Sequence, residues 1–234
     1  MSDERISRWM GPLGLLTVVV IFVGFGPLGG NAPNENASGA RVAAYYNAHV
    51  AMSWASIYVV GFGLALLILF VSQLRTELRK AGGEQTFWPN VVFAAAIILV
   101  AAIILAGTFQ VILILAAHNH ELAIVKMANF IGDNNELGFI FGIAVVTLAT
   151  AASILLNRST ESLPRTLGWW SLLVGVVACL GPVGFFAFLF GFPIWLIATG
   201  FVIGTKARRS AKAAAPGLLV QSEFPRSIDE GDKV

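Results

Sequence analysis

From Leu167 to Gly204 the chain runs 38 residues without an aspartate, glutamate, lysine or arginine. A soluble domain carries roughly one charged residue in four, so a water-facing element does not pass through such a stretch. As a single helix the run would be about 57 Å long, nearly twice the thickness of a bilayer's hydrocarbon core. It therefore reads as two membrane spans joined by a tight turn. Gly181-Pro182, Gly184, Gly191 and Pro193 are the residues able to break or bend it. They put the turn between Pro182 and Pro193, with "GFFAFLFGF" in an aromatic belt at the membrane surface.

Four more uncharged runs meet the same length criterion, at 9–28, 50–71, 90–117 and 137–156. With the hairpin at 167–184 and 187–204, the expected fold is all-α: a polytopic membrane protein, a bundle of six transmembrane helices in residues 1–204. Composition agrees, since 57% of residues are hydrophobic and only 12% charged. The 24 glycines suit helices that pack backbone to backbone.

The basic residues give the orientation. Arg5, Arg8, Arg75, Arg79, Lys80, Arg158, Arg165, Lys206, Arg208, Arg209 and Lys212 fall in segments on one side of such a bundle, while Arg41 and Lys126 alone fall on the other. Cytoplasmic segments carry the excess of Lys and Arg, so both termini are expected in the cytoplasm. An even number of crossings must then separate Arg165 from Lys206. Residues 1–39 also read as a secretory signal, with "NASGA" at a cleavage position. The apolar run is longer than the 7–15 residues of a signal core, and a retained helix is expected. Residues 205–234 are polar, hold Pro and Gly breakers, and are expected to form a disordered cytoplasmic tail. Its basic start, "TKARRSAK", serves either as an orientation signal alone or also as a contact for anionic lipid, at about 1 kcal/mol per charge.

Few residues suggest chemistry. The chain lacks HExxH, a phosphate loop and a GxSxG elbow. No acidic or basic side chain lies within a predicted span, which argues against a carboxylate proton relay, a voltage sensor and a Schiff-base lysine. No basic surface with interleaved aromatics points to nucleic acid. Cys179 stands alone in an apolar run and reads as a small hydrophobe. Gln110 is the most polar side chain deep in a span; it reads as a hydrogen-bonding contact between helices, or else as the lining of a solute path.

The histidines are the sharpest candidates. His49 opens the second span at the outer side, and "HNHE" (His118, His120, Glu121) closes the third. Consecutive antiparallel helices are usually neighbours, so all three imidazoles are expected on one outer face, with Tyr45 one turn before His49. His49, His118, His120 and Glu121 form a candidate ligand set for a transition metal such as zinc. Against that stands the plainer reading of histidines at the lipid–water boundary. A His-x-His pair diverges on a helix, and no cofactor is expected. Leu122, Ile124, Val125, Met127, Phe130 and Ile131 form the apolar face of a short interfacial helix, acting as a membrane anchor or as a lid.

Three stretches, "RVAAYYNAHVAM", "SLPRTLGWWSLLVG" and "PIWLIATGFVIG", resemble a family of uncharacterised bacterial integral membrane proteins, a domain of unknown function with about six helices. The resemblance covers roughly residues 9–206. It implies the architecture and a bacterial cytoplasmic membrane, and carries no activity or catalytic residue. The functional expectation is accordingly a non-enzymatic membrane protein, an accessory or interaction subunit or an outer-face binder of a small ligand. The alternatives are a small-solute transporter and a metal-dependent membrane enzyme using the outer histidines.

Overall fold

The computed structural model describes residues 7–82, 86–134, 136–157, 163–180 and 183–220, with backbone alone for 82, 133–134, 136–137, 211 and 213–220. Among them every regular element is helical. In chain order these are α1 Met10–Phe25, α2 Gly39–Ala48, α3 Val50–Gly82, α4 Phe87–His118, α5 Leu122–Asn134, α6 Glu136–Leu155 and α7 Arg165–Ala178. The short helix α8 (Gly184–Phe186) leads through a π-helical turn, Ala187–Gly191, into α9, Phe192–Val220.

Four helices are long and apolar enough to cross a membrane: Val50–Ala81, Phe87–His118, Gly138–Leu155 and Gly184–Ser210. The other two expected spans are shorter as helices, 16 residues in α1 and 14 in α7, against the roughly 20 that a full crossing needs. α1 stops because "GPLGG" follows it. The Gly26 amide bonds Phe22 O at 2.8 Å, the Gly30 amide bonds Gly26 O at 3.0 Å, and Gly30 sits at φ +66° under the Tyr45 hydroxyl.

Three stretches differ from the sequence expectation. The connection between the second and third spans is helical as far as Gly82, because α3 runs on to that residue. Its last turns are amphipathic: Leu74, Glu77, Leu78 and Ala81 are buried, whereas Arg79 and Lys80 are exposed. In the long uncharged run the first helix ends at Ala178, ahead of the expected window, and helix resumes at Gly184, inside it. Pro182 lies outside the described residues. The aromatic stretch is thus inside a helix. Pro193 offers no amide to Leu189 and its ring would strike that carbonyl in an α-helix; the π-helical turn before it relieves the conflict. Residues from Thr205 to Val220 continue α9 rather than forming an irregular tail, as their Ala, Lys and Arg content favours. Residues 221–234 lie outside the described residues.

Glycines set the helix contacts. A Cβ on Gly14 would lie 2.8 Å from Leu196 O, on Gly142 2.8 Å from Leu99 Cβ, and on Gly200 2.5 Å from Met10 O. Thus α1 lies directly on α9, and α6 on α4. Leu67, Phe70, Leu99, Ile143, Trp195 and Leu196 are buried where these helices meet. The Trp195 indole donates to Ser171 Oγ at 2.7 Å, and Ser171 donates to Leu167 O, tying α9 to α7. A smaller core of Val42, Tyr46, Ile114, Ala117, Val125 and Ala128 seats α2 and α5 on the last turns of α4.

The two ends of the bundle differ in charge. At one, Ser7 bonds Glu77, Arg75 bonds Asn90, and Asn157 bonds Ala81 O, which gathers the ends of α3 and α6 with the starts of α1 and α4. Arg8 and Arg208 share a small hollow there. The other end holds α2, α5, Arg41, Lys126 and the histidines.

Candidate functional site

At the histidine end each predicted ligand has a local role. His49 caps the C-terminus of α2, half-buried. Its ring stacks on Tyr45 with centroids 4.4 Å apart, and its Nδ1 is 2.9 Å from Tyr45 O. A carbonyl only accepts, so the ring makes this hydrogen bond by donating from Nδ1. His118 ends α4 and is exposed. His120 has φ 60°; its amide bonds Ala117 O at 3.3 Å, and the Glu121 amide bonds Ala116 O at 2.9 Å. Those two bonds close a helix in the Schellman manner, with His120 in the left-handed position usually held by glycine. "HNHE" is therefore a helix stop. Asn47 donates to Ala117 O at 3.1 Å, which brings the chain at His49 to the end of α4 beside His118. Among the described residues no three His, Cys, Asp or Glu side chains gather into a metal-binding group.

α5 presents Leu122, Ile124, Met127, Phe130 and Ile131 outward and buries Val125 and Ala128. Val125 is thus on the face opposite to the expected one. Asn129, also buried, donates to Pro33 O and Asn34 O and so fixes the loop after α1.

The most distinctive feature lies lower, between α3 and α4. A groove of about 470 Å³ is lined by Ile57, Val60, Gly61 and Leu64 on one wall and Ile103, Gly107, Gln110 and Val111 on the other, with Phe25 at its back. Gly61 and Gly107 stand apart from the packing glycines, because a Cβ on either would meet nothing within 4 Å. Each costs about 1 kcal/mol relative to alanine in a helix interior, and no helix contact requires either. Gln110 makes no hydrogen bond to any described residue. It is not the interhelical contact that its depth suggests.

A second hollow, about 200 Å³, begins where the first ends; Phe25 and Ile103 line both. Its walls are apolar and include Leu67, Leu99, Ile143 and the π-helical turn at Phe188 and Leu189. Phe188 meets Phe25 edge-on, with ring centroids 6.4 Å apart.

No known protein family, curated protein or solved structure matches the chain. The chemistry of the groove must therefore be read from its own residues. No acidic or basic side chain lines either hollow, and the one hydroxyl, that of Thr108, donates to Ile104 O. The two adjoin at Phe25 and Ile103, and their walls are apolar apart from Gln110 and Thr108. Sequence reading singled out Gln110 by polarity but missed the groove. Gly61 and Gly107 look like any membrane-helix glycine until their surroundings are known.

Proposed function

We propose that this chain is a six-span integral membrane protein of a bacterial cytoplasmic membrane, with both termini inside. It acts without catalysis, by holding a lipophilic small molecule in the groove between α3 and α4. The segregation of basic residues to one end of the bundle supports the orientation. The Trp195–Ser171 bond between α7 and α9 supports a hairpin of spans. Membranes accommodate apolar segments as short as α1 and α7 by thinning locally and through flanking residues, and exposed Trp9 and Trp169 suit such anchoring. The three motifs quoted above support the bacterial kinship.

The observation that carries the binding role is the pair of glycines facing empty space, Gly61 and Gly107. They keep open a volume within the 300–1,000 Å³ typical of small-molecule sites. The test is photolabelling in lipid nanodiscs with an oleoyl chain that carries a mid-chain diazirine. Adducts should concentrate in residues 57–64 and 103–111, and Gly61→Leu with Gly107→Leu should remove them. Labelling spread evenly over all lipid-facing helices, indifferent to the leucines, would overturn the role.

A further inference from the structure

We infer that the ligand of this groove is an uncharged amphiphile with a single apolar chain, its head hydrogen-bonded to Gln110 and its chain directed inward past Phe25. The inference rests on the binding role just given and adds the chemical class and direction of the occupant.

Direction follows from the antiparallel walls. Ile57 on α3 lies nearer the histidine end than Leu64, and on α4 Gln110 and Val111 lie nearer it than Ile103. The single amide thus sits toward the histidine end; the one other polar side chain of the groove, Thr108, spends its hydroxyl proton on Ile104 O, and the walls deeper than it are hydrocarbon. From Gln110 to Leu99, in the far hollow, the helical rise gives about 16 Å, enough for an extended chain to run through both hollows.

Head chemistry follows from what Gln110 offers. A carboxamide has two N–H donors and a carbonyl acceptor, and here all of them are unused by described residues. A hydroxyl satisfies both kinds of group, whereas an ester or ketone oxygen can only accept from the N–H donors. A charged head does not suit the site: neither hollow is lined by an opposite charge, and an ion there would be desolvated without a partner. A whole two-chain phospholipid does not fit within the groove, which has the volume of a drug-sized ligand.

Three diazirine probes with the same chain separate the possibilities: 1-monooleoylglycerol, oleate, and the headless hydrocarbon, each photolysed with the full-length protein in phosphatidylcholine nanodiscs. Monooleoylglycerol should label the groove most strongly. Gln110→Leu should lower its capture about fivefold, the scale of one lost hydrogen bond, and leave the hydrocarbon unchanged. Gln110→Asn should fall between the wild type and Gln110→Leu. Gly61→Leu with Gly107→Leu should abolish capture of every probe. Should that pair not be recovered folded, Gly107→Leu alone serves, since it adds bulk only to open space. If the leucines block capture but Gln110→Leu changes nothing, the head assignment fails and the groove stands. Oleate captured as strongly as monooleoylglycerol also overturns the uncharged head. If the leucines have no effect, the groove reading fails and takes this inference with it.

Discussion

Ser7 and Glu77, seventy residues apart in sequence, meet through a 2.9 Å hydrogen bond from hydroxyl to carboxylate. Gln73 donates to the same hydroxyl at 2.7 Å, and Lys80 reaches the same carboxylate oxygen at 3.0 Å. All but Lys80 are buried. The cluster locks the entry to α1 against the last turns of α3. A hydrogen bond to a charged group contributes about 1.5–3 kcal/mol, so Ser7→Ala should lower unfolding free energy by that amount in a detergent titration. Glu77→Leu should cost more, because Ser7 and Lys80 then both lose the carboxylate oxygen that accepts from them. An unchanged unfolding midpoint in both variants would show that the cluster is incidental.

The same contacts argue that the first helix is retained. Met10 and Thr17 are fully buried, and Ser56 donates to Gly24 O at 2.8 Å. Removing residues 1–39 would strip α1 from both α3 and α9. Intact-mass measurement of membrane-extracted protein should therefore find the N-terminal segment present. A mature species starting near Ala40 would refute this.

Topology is open to a direct check. Reporter fusions after Lys80, Arg165 and Arg209 should read cytoplasm, and fusions near Asn36 and Asn129 should read outside, following the uneven distribution of Lys and Arg. An outside signal at Arg209 would break the pairing of α7 with α9 as a hairpin of spans.

How much of this was written in the sequence depends on the kind of signal. Apolar runs are visible to a length count, and four long helices follow from them. Counting charges ended the second span near Val71, yet α3 reaches Gly82, because Leu74, Leu78 and Ala81 keep a helical face buried among exposed basic residues. That periodicity was present in "VSQLRTELRKAG" but carries no membrane signal. Pro193 looked like a possible chain break and is absorbed by a π-helical turn, which only the packing around Phe188 and Leu189 reveals. His118 and His120 drew attention as a pair because residue type is legible, whereas the φ of 60° that gives His120 its role is not. The groove was the least legible feature, since it is an absence of atoms beside two glycines.

The histidine stop gives a stability prediction with an unusual sign. A non-glycine residue in the left-handed region is disfavoured by about 1–2 kcal/mol, and His120 occupies it at a helix C-terminus. His120→Gly should leave stability equal or higher by up to about 1 kcal/mol, and His120→Val should lower it. If zinc instead held this end, His120→Gly, His49→Ala and His118→Ala would each remove a near-stoichiometric ion detectable by metal analysis. The expected result is no such loss, since among the described residues no three His, Cys, Asp or Glu side chains gather at this end.

The glycines give the sharpest contrast, because the same substitution should have opposite effects at positions that look alike in sequence. At Gly200 a new methyl would sit 2.5 Å from Met10 O, and at Gly14 2.8 Å from Leu196 O. Backbone atoms yield only by moving α1 off α9, so Gly200→Ala and Gly14→Ala should each destabilise by about 1–3 kcal/mol, the range for overpacking. At Gly61 and Gly107 the methyl meets open space. There the gain in helix propensity is unopposed, and alanine should stabilise by about 0.5–1 kcal/mol. Detergent unfolding of the four single variants measures both signs. Losses at Gly61 and Gly107 matching those at Gly200 would mean that the groove is closed in the folded protein. A gain in stability there, together with weaker capture of the oleoyl probe for Gly61→Leu and Gly107→Leu, is the pattern of two positions kept small for a ligand at the expense of the fold.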